Sequence, residues 1–192
     1  MSITGIVLAG GQGKRMGGQD KGWVNFQGQA MISHVLQRLS PQVDEILISA
    51  NRELAQYQQL GYPVIEDAIS GFAGPLAGLH AGLQQASHPY VLTVPCDSPL
   101  LPPQLAKRLM NGLIERDADL AFAKTGQQNH PVFCLCRRSL LPGLEQYLQA
   151  GGRKVGDWMA TLDTVAVSFT DQALAFANIN TPEELQWLEQ AA

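Results

Sequence analysis

Cysteine is scarce in this chain: Cys96, Cys134 and Cys136 make an odd total of three. That count gives no disulfide framework, and it is too few for a zinc site built on thiolates alone. Reduced thiols of this kind fit the cytoplasm, the expected location. No apolar run approaches the roughly 20 residues that span a bilayer, so no membrane segment is expected. The opening Met1-Ser2-Ile3-Thr4-Gly5 lacks the basic start and apolar stretch of a signal peptide. Positive charge is also short. A net charge of -4 excludes a general nucleic-acid binder, so any anionic ligand must meet a local concentration of cations.

What the chain does have is alternation. Ile3 to Ala9 reads as a buried strand, followed by helical spacing at Ile32, Val35, Leu36 and Leu39 that Pro41 stops. Strands follow at Val43 to Ala50 and Pro63 to Glu66, with a short helix near Glu53 to Leu60 between them. A helix opens at Pro75, a strand runs from Tyr90 to Val94, and Pro102-Pro103 opens a helix toward Glu115. Strands are expected near Asp119 to Lys124, Val132 to Cys136 and Thr164 to Phe169, with a helix over Ser139 to Gln149. Cys134 and Cys136 alternate, so both should face one side of their strand. Thr181, Pro182 and Glu184 form a capping box that starts the last helix. With no repeat or linker, residues 1–192 are expected to form one domain. The pattern predicts an α/β, three-layer, Rossmann-like sandwich: a mostly parallel sheet with helices on both faces, binding ligands beyond the carboxyl ends of its strands.

The first strand empties into a loop, Gly10 to Gly22, that holds six glycines together with Lys14, Arg15 and Lys21. Glycines let backbone amides approach phosphate oxygens. Arg15 can grip a phosphate through two N–H groups, while Lys21 is a compact point charge. Neither familiar phosphate motif fits. Lys21 is followed by Gly22 rather than Ser or Thr, and Gly11-Gln12-Gly13 is not completed as GxGxxG. The next strand ends Ser49-Ala50-Asn51, without an acidic residue for a ribose, which disfavours a nicotinamide enzyme.

Asp97, between Pro95 and Pro99, should stand at a strand's carboxyl end. There it can hold Mg²⁺, or instead cap the helix that follows. Asp67 reaches the same edge, where it can accept hydrogen bonds from a base or start a turn. His130, before Pro131 and a buried strand, is expected to be structural.

These residues resemble a known family. Leu8-Ala9-Gly10-Gly11, Arg15-Met16-Gly17, Asp20-Lys21, Ser49-Ala50-Asn51-Arg52, Ile65-Glu66-Asp67, Gly74-Pro75-Leu76-Ala77-Gly78-Leu79, Pro95 to Pro99, His130-Pro131 and Asn178 to Leu185 resemble, in order along nearly the whole chain, the molybdenum cofactor guanylyltransferases. The opening loop alone would indicate only the wider nucleotidyltransferase superfamily. The resemblance implies transfer of GMP from GTP to the phosphate of molybdopterin, with release of pyrophosphate and with Mg²⁺ as cofactor. It implies that Leu8, Ala9, Gly10, Lys21, Asp67 and Asp97 contact GTP, with Gly11 in the same loop and Asp97 also on the metal. Gly78, Asn178 and Asn180 would lie toward the pterin. Ser49 stands where the family has Asn; Asn51, two residues on, should point the same way, and both are candidates for the nucleotide. Arg15, Lys21 and Asp97 are the catalytic candidates, and cofactor-insertion and delivery proteins and molybdoenzymes the implied partners. A cytidylyltransferase or sugar-nucleotide enzyme would share the loop and Asp97. A non-catalytic cofactor carrier would have no need of Asp97.

Overall fold

The computed structural model describes residues 1–9, 20–67 and 74–191. In the first half of the described residues the strands are β1 (Ile3–Leu8), β2 (Asn25–Phe26), β3 (Gln29–Ala30), β4 (Glu45–Ser49), β5 (Val64–Ile65) and β6 (Tyr90–Pro95). The others are β7 (Leu120–Thr125), β8 (Gln128–Arg137) and β9 (Thr164–Ser168). The helices are α1 (Met31–Leu39), α2 (Leu54–Gln58), α3 (Pro75–Gln85), α4 (Leu105–Glu115), α5 (Leu141–Gln149), α6 (Val155–Met159) and α7 (Pro182–Ala191).

The main sheet runs β5-β4-β1-β6-β8-β7-β9. Every pairing is parallel except those of β8, which is antiparallel to both β6 and β7. The chain builds outward from β1 to β5, then returns to lay β6 on the other side of β1. This reversal is a topological switch point, the place where sheets of this kind leave a crevice beyond their strand ends.

Side-chain alternation assigns the two faces. Phe133 and Leu135 of β8 join Val35 and Leu39 of α1 and Leu105 and Leu109 of α4 in one core. Cys134 and Cys136 join Leu79 and Leu83 of α3, Leu144 of α5 and Trp158 of α6 in the other. Both thiols are buried on a single face, as the alternation predicts, and the three-layer sandwich is the observed architecture.

Two boundaries differ from expectation, and α6 and a short hairpin were not anticipated. β8 begins at Gln128, not Val132, because a register shift opposite Phe122 and Ala123 lets the strand pass Pro131, which has no N–H for the ladder. α4 begins at Leu105, with Gln104 as its cap, two residues beyond the Pro102-Pro103 pair. The turn of the β2–β3 hairpin places Gln27 and Gly28 at positive φ, 48° and 86°, the signature of a two-residue primed turn. The hairpin and α7 share a small third core through Phe26, Met31, Ile179 and Leu188. The capping box is present: Thr181 Oγ accepts from Glu184 N–H at 3.2 Å, and Glu184 Oε2 accepts from Thr181 N–H at 3.2 Å.

Candidate active site

Parallel strands deliver their C-terminal residues to one edge, and the crevice at the switch point is a cavity of about 490 Å³. β1 contributes Leu8 and Ala9, β4 contributes Ser49, the residues after β5 contribute Asp67, and β6 with its loop contributes Pro95, Cys96 and Asp97. Lys21, Gly78, Asn178 and Asn180 complete the assembly. Residues far apart in the chain thus converge where the topology requires.

At the centre, Lys21 Nζ lies 3.0 Å from Asp97 Oδ2 and 2.5 Å from Asn180 Oδ1. The ion pair is largely shielded from water, with side-chain exposures of 21% and 12%. Shielding strengthens the attraction and also makes each charge dependent on its partner. Asp97 Oδ1, the other carboxylate oxygen, is buried and has no hydrogen-bond partner among the described residues. A carboxylate oxygen left in that state invites a cation. It does not cap a helix: α4 starts eight residues later, on Gln104. Among the described residues no group of three or more His, Cys, Asp and Glu side chains could hold a metal. A divalent ion here would therefore rest on Asp97, phosphate oxygens and water, a donor set that suits Mg²⁺.

The segment after β9 is stitched to the Asp97 loop. Ile179 N–H donates to Asp97 C=O at 3.1 Å, and Ser98 Oγ donates to Asn178 Oδ1 at 2.7 Å. Glu184 Oε2 also accepts from Asn180 N–H at 2.6 Å, so the capping box holds Asn180 against Lys21.

On the β4 flank, Asn51 grips Asp67 at two points. Asn51 Nδ2 donates to Asp67 Oδ2 at 2.7 Å, and Asp67 N–H donates to Asn51 Oδ1 at 2.9 Å. Ser49 Oγ lies 3.5 Å from Asp67 Oδ1. Ser49 and Asn51 do point the same way, toward one carboxylate. Gly78 comes closer to this flank than the pterin-side expectation suggests. A Cβ there would stand 2.6 Å from Leu8 Cδ2 and 2.7 Å from Ser49 Oγ, so the α3 backbone closes onto the strand ends only because the position is glycine.

Sequence reasoning missed the support beneath Lys21. Asp20 Oδ1 accepts from Tyr57 Oη at 2.6 Å and from Gly22 N–H at 3.1 Å, which caps the turn Lys21–Trp23. Burial pushes the Asp20 carboxyl up from its ordinary range, against those two donors. Tyr57 lies 37 residues from Asp20, and no local pattern signals their contact. Cys96 also lines the cavity, but burial, beside the charge of Asp97, pushes its thiol well up; it stays protonated and is no nucleophile. His130 is occupied elsewhere: its Nε2 is 2.7 Å from Thr125 Oγ and its ring stacks on Phe176. Gly10, Gly11 and Arg15 lie outside the described residues.

The comparisons with known proteins agree with this construction. Residues 5–165 match the family described as "MobA-like NTP transferase domain". The molybdenum cofactor guanylyltransferase of Ralstonia nicotianae is 51% identical over 197 residues, covering 98% of this chain and 96% of the relative. Its counterpart from Shewanella putrefaciens is 48% identical over 186 residues, covering 97% and 95%. The solved structure of molybdopterin-guanine dinucleotide biosynthesis protein A from Archaeoglobus fulgidus superposes with a TM-score of 0.81 at 25% identity, covering 98% and 97%. With family, full-length relatives and fold in accord, this chain belongs to the MobA-like NTP transferases and, within them, to the molybdenum cofactor guanylyltransferases.

Proposed function

We propose that the chain, acting as one domain over residues 1–192, transfers GMP from GTP to the terminal phosphate of molybdopterin and releases pyrophosphate. The observation that carries this reading is the meeting of Lys21 with Asp97, one of whose oxygens is buried and without a partner among the described residues, in a cavity whose far flank ends in Asp67.

The acceptor phosphate is already an anion at neutral pH, so the attack needs no general base, and no histidine lines the cavity among its described residues. The barrier lies in bringing one anion onto another. Positioning and positive charge lower it. Lys21 neutralises the triphosphate and the pyrophosphate that departs. Arg15, from the glycine-rich loop with Gly10 and Gly11, supplies a second cation with two parallel donors. Asp97 would hold Mg²⁺, which when bound would supply positive charge to the α-phosphate and help align attacker with leaving group. Leu8 and Ala9 wall the nucleotide, and Asp67, held open by Asn51 and Ser49, accepts from guanine N1–H and the N2 amino group. Asn178 and Asn180 face the acceptor.

No described helix is long and apolar enough to cross a membrane, in keeping with the expectation of a cytoplasmic enzyme that passes its product to cofactor-delivery proteins and molybdoenzymes. Incubation with each labelled nucleotide, Mg²⁺ and molybdopterin tests the function. GTP alone should give labelled pterin dinucleotide with one pyrophosphate per turnover. A product from CTP at the same rate, or none from GTP, overturns the assignment.

A further inference from the structure

Tyr57 is fully buried on the short helix α2, yet its hydroxyl reaches the turn that carries Lys21. Residues on both sides of the lysine lean on this one ring. Before it, Asp20 Oδ1 accepts from Tyr57 Oη at 2.6 Å. After it, Gly22 lies so near that a Cβ there would stand 2.6 Å from Tyr57 Oη and 3.4 Å from Cε1 and Cζ. Trp23 then packs its ring against Tyr57, with centroids 5.1 Å apart. Lys21 itself bonds elsewhere, through Nζ to Asp97 and Asn180.

The lysine is therefore held at two ends, and the ends differ. Its ammonium rests on polar side chains in the cavity, and incoming phosphate oxygens can compete with them. Its root is fastened to an aromatic ring in the main core, beyond the reach of a ligand. Tyr57 is not among the described residues that line the cavity, so it acts on the site only through the turn. Asn51, which clamps Asp67, lies in the connection from β4 to α2. One segment of chain thus anchors both the base flank and the lysine turn.

We infer that Tyr57 is a positioning residue for the transfer: it fixes the root of Lys21 and so sets how far the ammonium can follow charge onto the departing pyrophosphate. The inference rests on the guanylyltransferase reading and adds to it a buried residue outside the cavity. Gly22 belongs to the same device, since only a residue without a side chain lets the turn close onto the hydroxyl.

Single-turnover GMP transfer at saturating GTP and molybdopterin, well below the Tm of each variant, tests it in Tyr57→Phe, Gly22→Ala and the double variant. Tyr57→Phe keeps the ring and its contact with Trp23 but drops the hydroxyl. Its rate per folded enzyme should fall roughly tenfold, within the range that a misplaced group costs, with the KM for molybdopterin unchanged. Gly22→Ala should also be slow, because its methyl pushes the turn off the hydroxyl. Without the hydroxyl that methyl meets ring carbons at an ordinary 3.4 Å, so the double variant should be no slower than Tyr57→Phe alone. A wild-type rate in Tyr57→Phe, or losses that multiply in the double variant, overturns the positioning role while the wild type still makes dinucleotide. So does a loss that vanishes once the rate is counted per folded enzyme. A wild type that forms no dinucleotide from GTP overturns the function and this inference together.

Discussion

Lys21 Nζ and Asp97 Oδ2 sit 3.0 Å apart although 76 residues separate them in the chain. One belongs to the loop that leaves β1 and the other to the loop that leaves β6, the two strands on either side of the switch point. The lysine thus occupies one oxygen of the carboxylate whose other oxygen is proposed for the metal.

That contact gives a paired prediction. Asp97→Asn should keep a near wild-type melting temperature but lose roughly a hundredfold or more in turnover at limiting Mg²⁺, about 3 kcal/mol of barrier. Lys21→Met removes the competing cation, so Mn²⁺ binding without nucleotide, followed by electron paramagnetic resonance, should tighten relative to wild type. Normal turnover in the first variant, or unchanged Mn²⁺ affinity in the second, would reject the metal role or the competition respectively.

Asp67 is held by Asn51 through two hydrogen bonds, which leaves its carboxylate little freedom to turn. Asn51→Ala should therefore weaken GTP binding about tenfold without removing any charge, since a hydrogen bond to a charged group is worth about 1.5–3 kcal/mol. Asp67→Ala should lose more for GTP than for inosine triphosphate, which lacks the 2-amino group. Isothermal titration with both nucleotides measures this, and equal losses would count against recognition of that amino group.

Gly78 and Gly82, one turn apart on α3, separate binding from packing. A methyl at Gly78 meets Leu8 Cδ2 and Ser49 Oγ, both in the active-site cavity. A methyl at Gly82 meets the Ile6 side chain, Cγ1 at 2.9 Å, in the fully buried core. Gly82→Ala should cost about 1–3 kcal/mol of stability by overpacking and leave the KM for GTP alone. Gly78→Ala should raise that KM by displacing Ser49. A Gly78→Ala enzyme with wild-type KM and a lowered Tm would make its role one of packing only.

Asp20 has a stability signature with a definite sign. Its folded-state carboxyl is raised above the ordinary value, first of all by burial. Stabilisation from such a group is present below the unfolded value and is lost as pH rises through the folded one. At pH 7 the ionised carboxylate is then a net cost. Asp20→Asn keeps an oxygen for Tyr57 and Gly22, so it should melt higher than wild type at pH 7, with the gap closing toward pH 4. A gap that widens on acidification would contradict the assignment.

Strand ends were readable because apolar runs stop abruptly there: Leu8, Ser49, Ile65 and Pro95 all fall at the edge that hydrophobic pattern and turn residues mark. Asp97 followed from that edge, Lys21 from the glycine-rich loop after β1, and Asn180 only from the resemblance to the family. The Asn51–Asp67 clamp was half legible, since alternation aimed Ser49 and Asn51 together but not at a named partner. Other features left no local trace. Tyr57 finds Asp20 only through the fold. The β2–β3 strands are two residues each, too short to show a period, although Gln27-Gly28 carries the turn chemistry. The extension of β8 past Pro131 depends on a register shift that no periodicity reports. Gly10, Gly11 and Arg15 lie in the stretch outside the described residues, so their part of the reading rests on the sequence.

Asn180 comes later in the chain than every strand of the main sheet. The strands of the main sheet can all be made while Lys21 still lacks its second partner and the Asp97 loop still lacks its ties to Asn178 and Ile179. Domains assemble as their residues emerge, N-terminal parts first. The site is therefore among the last features to be completed: a released chain cut after β9 would hold every strand of the main sheet and an unfinished enzyme.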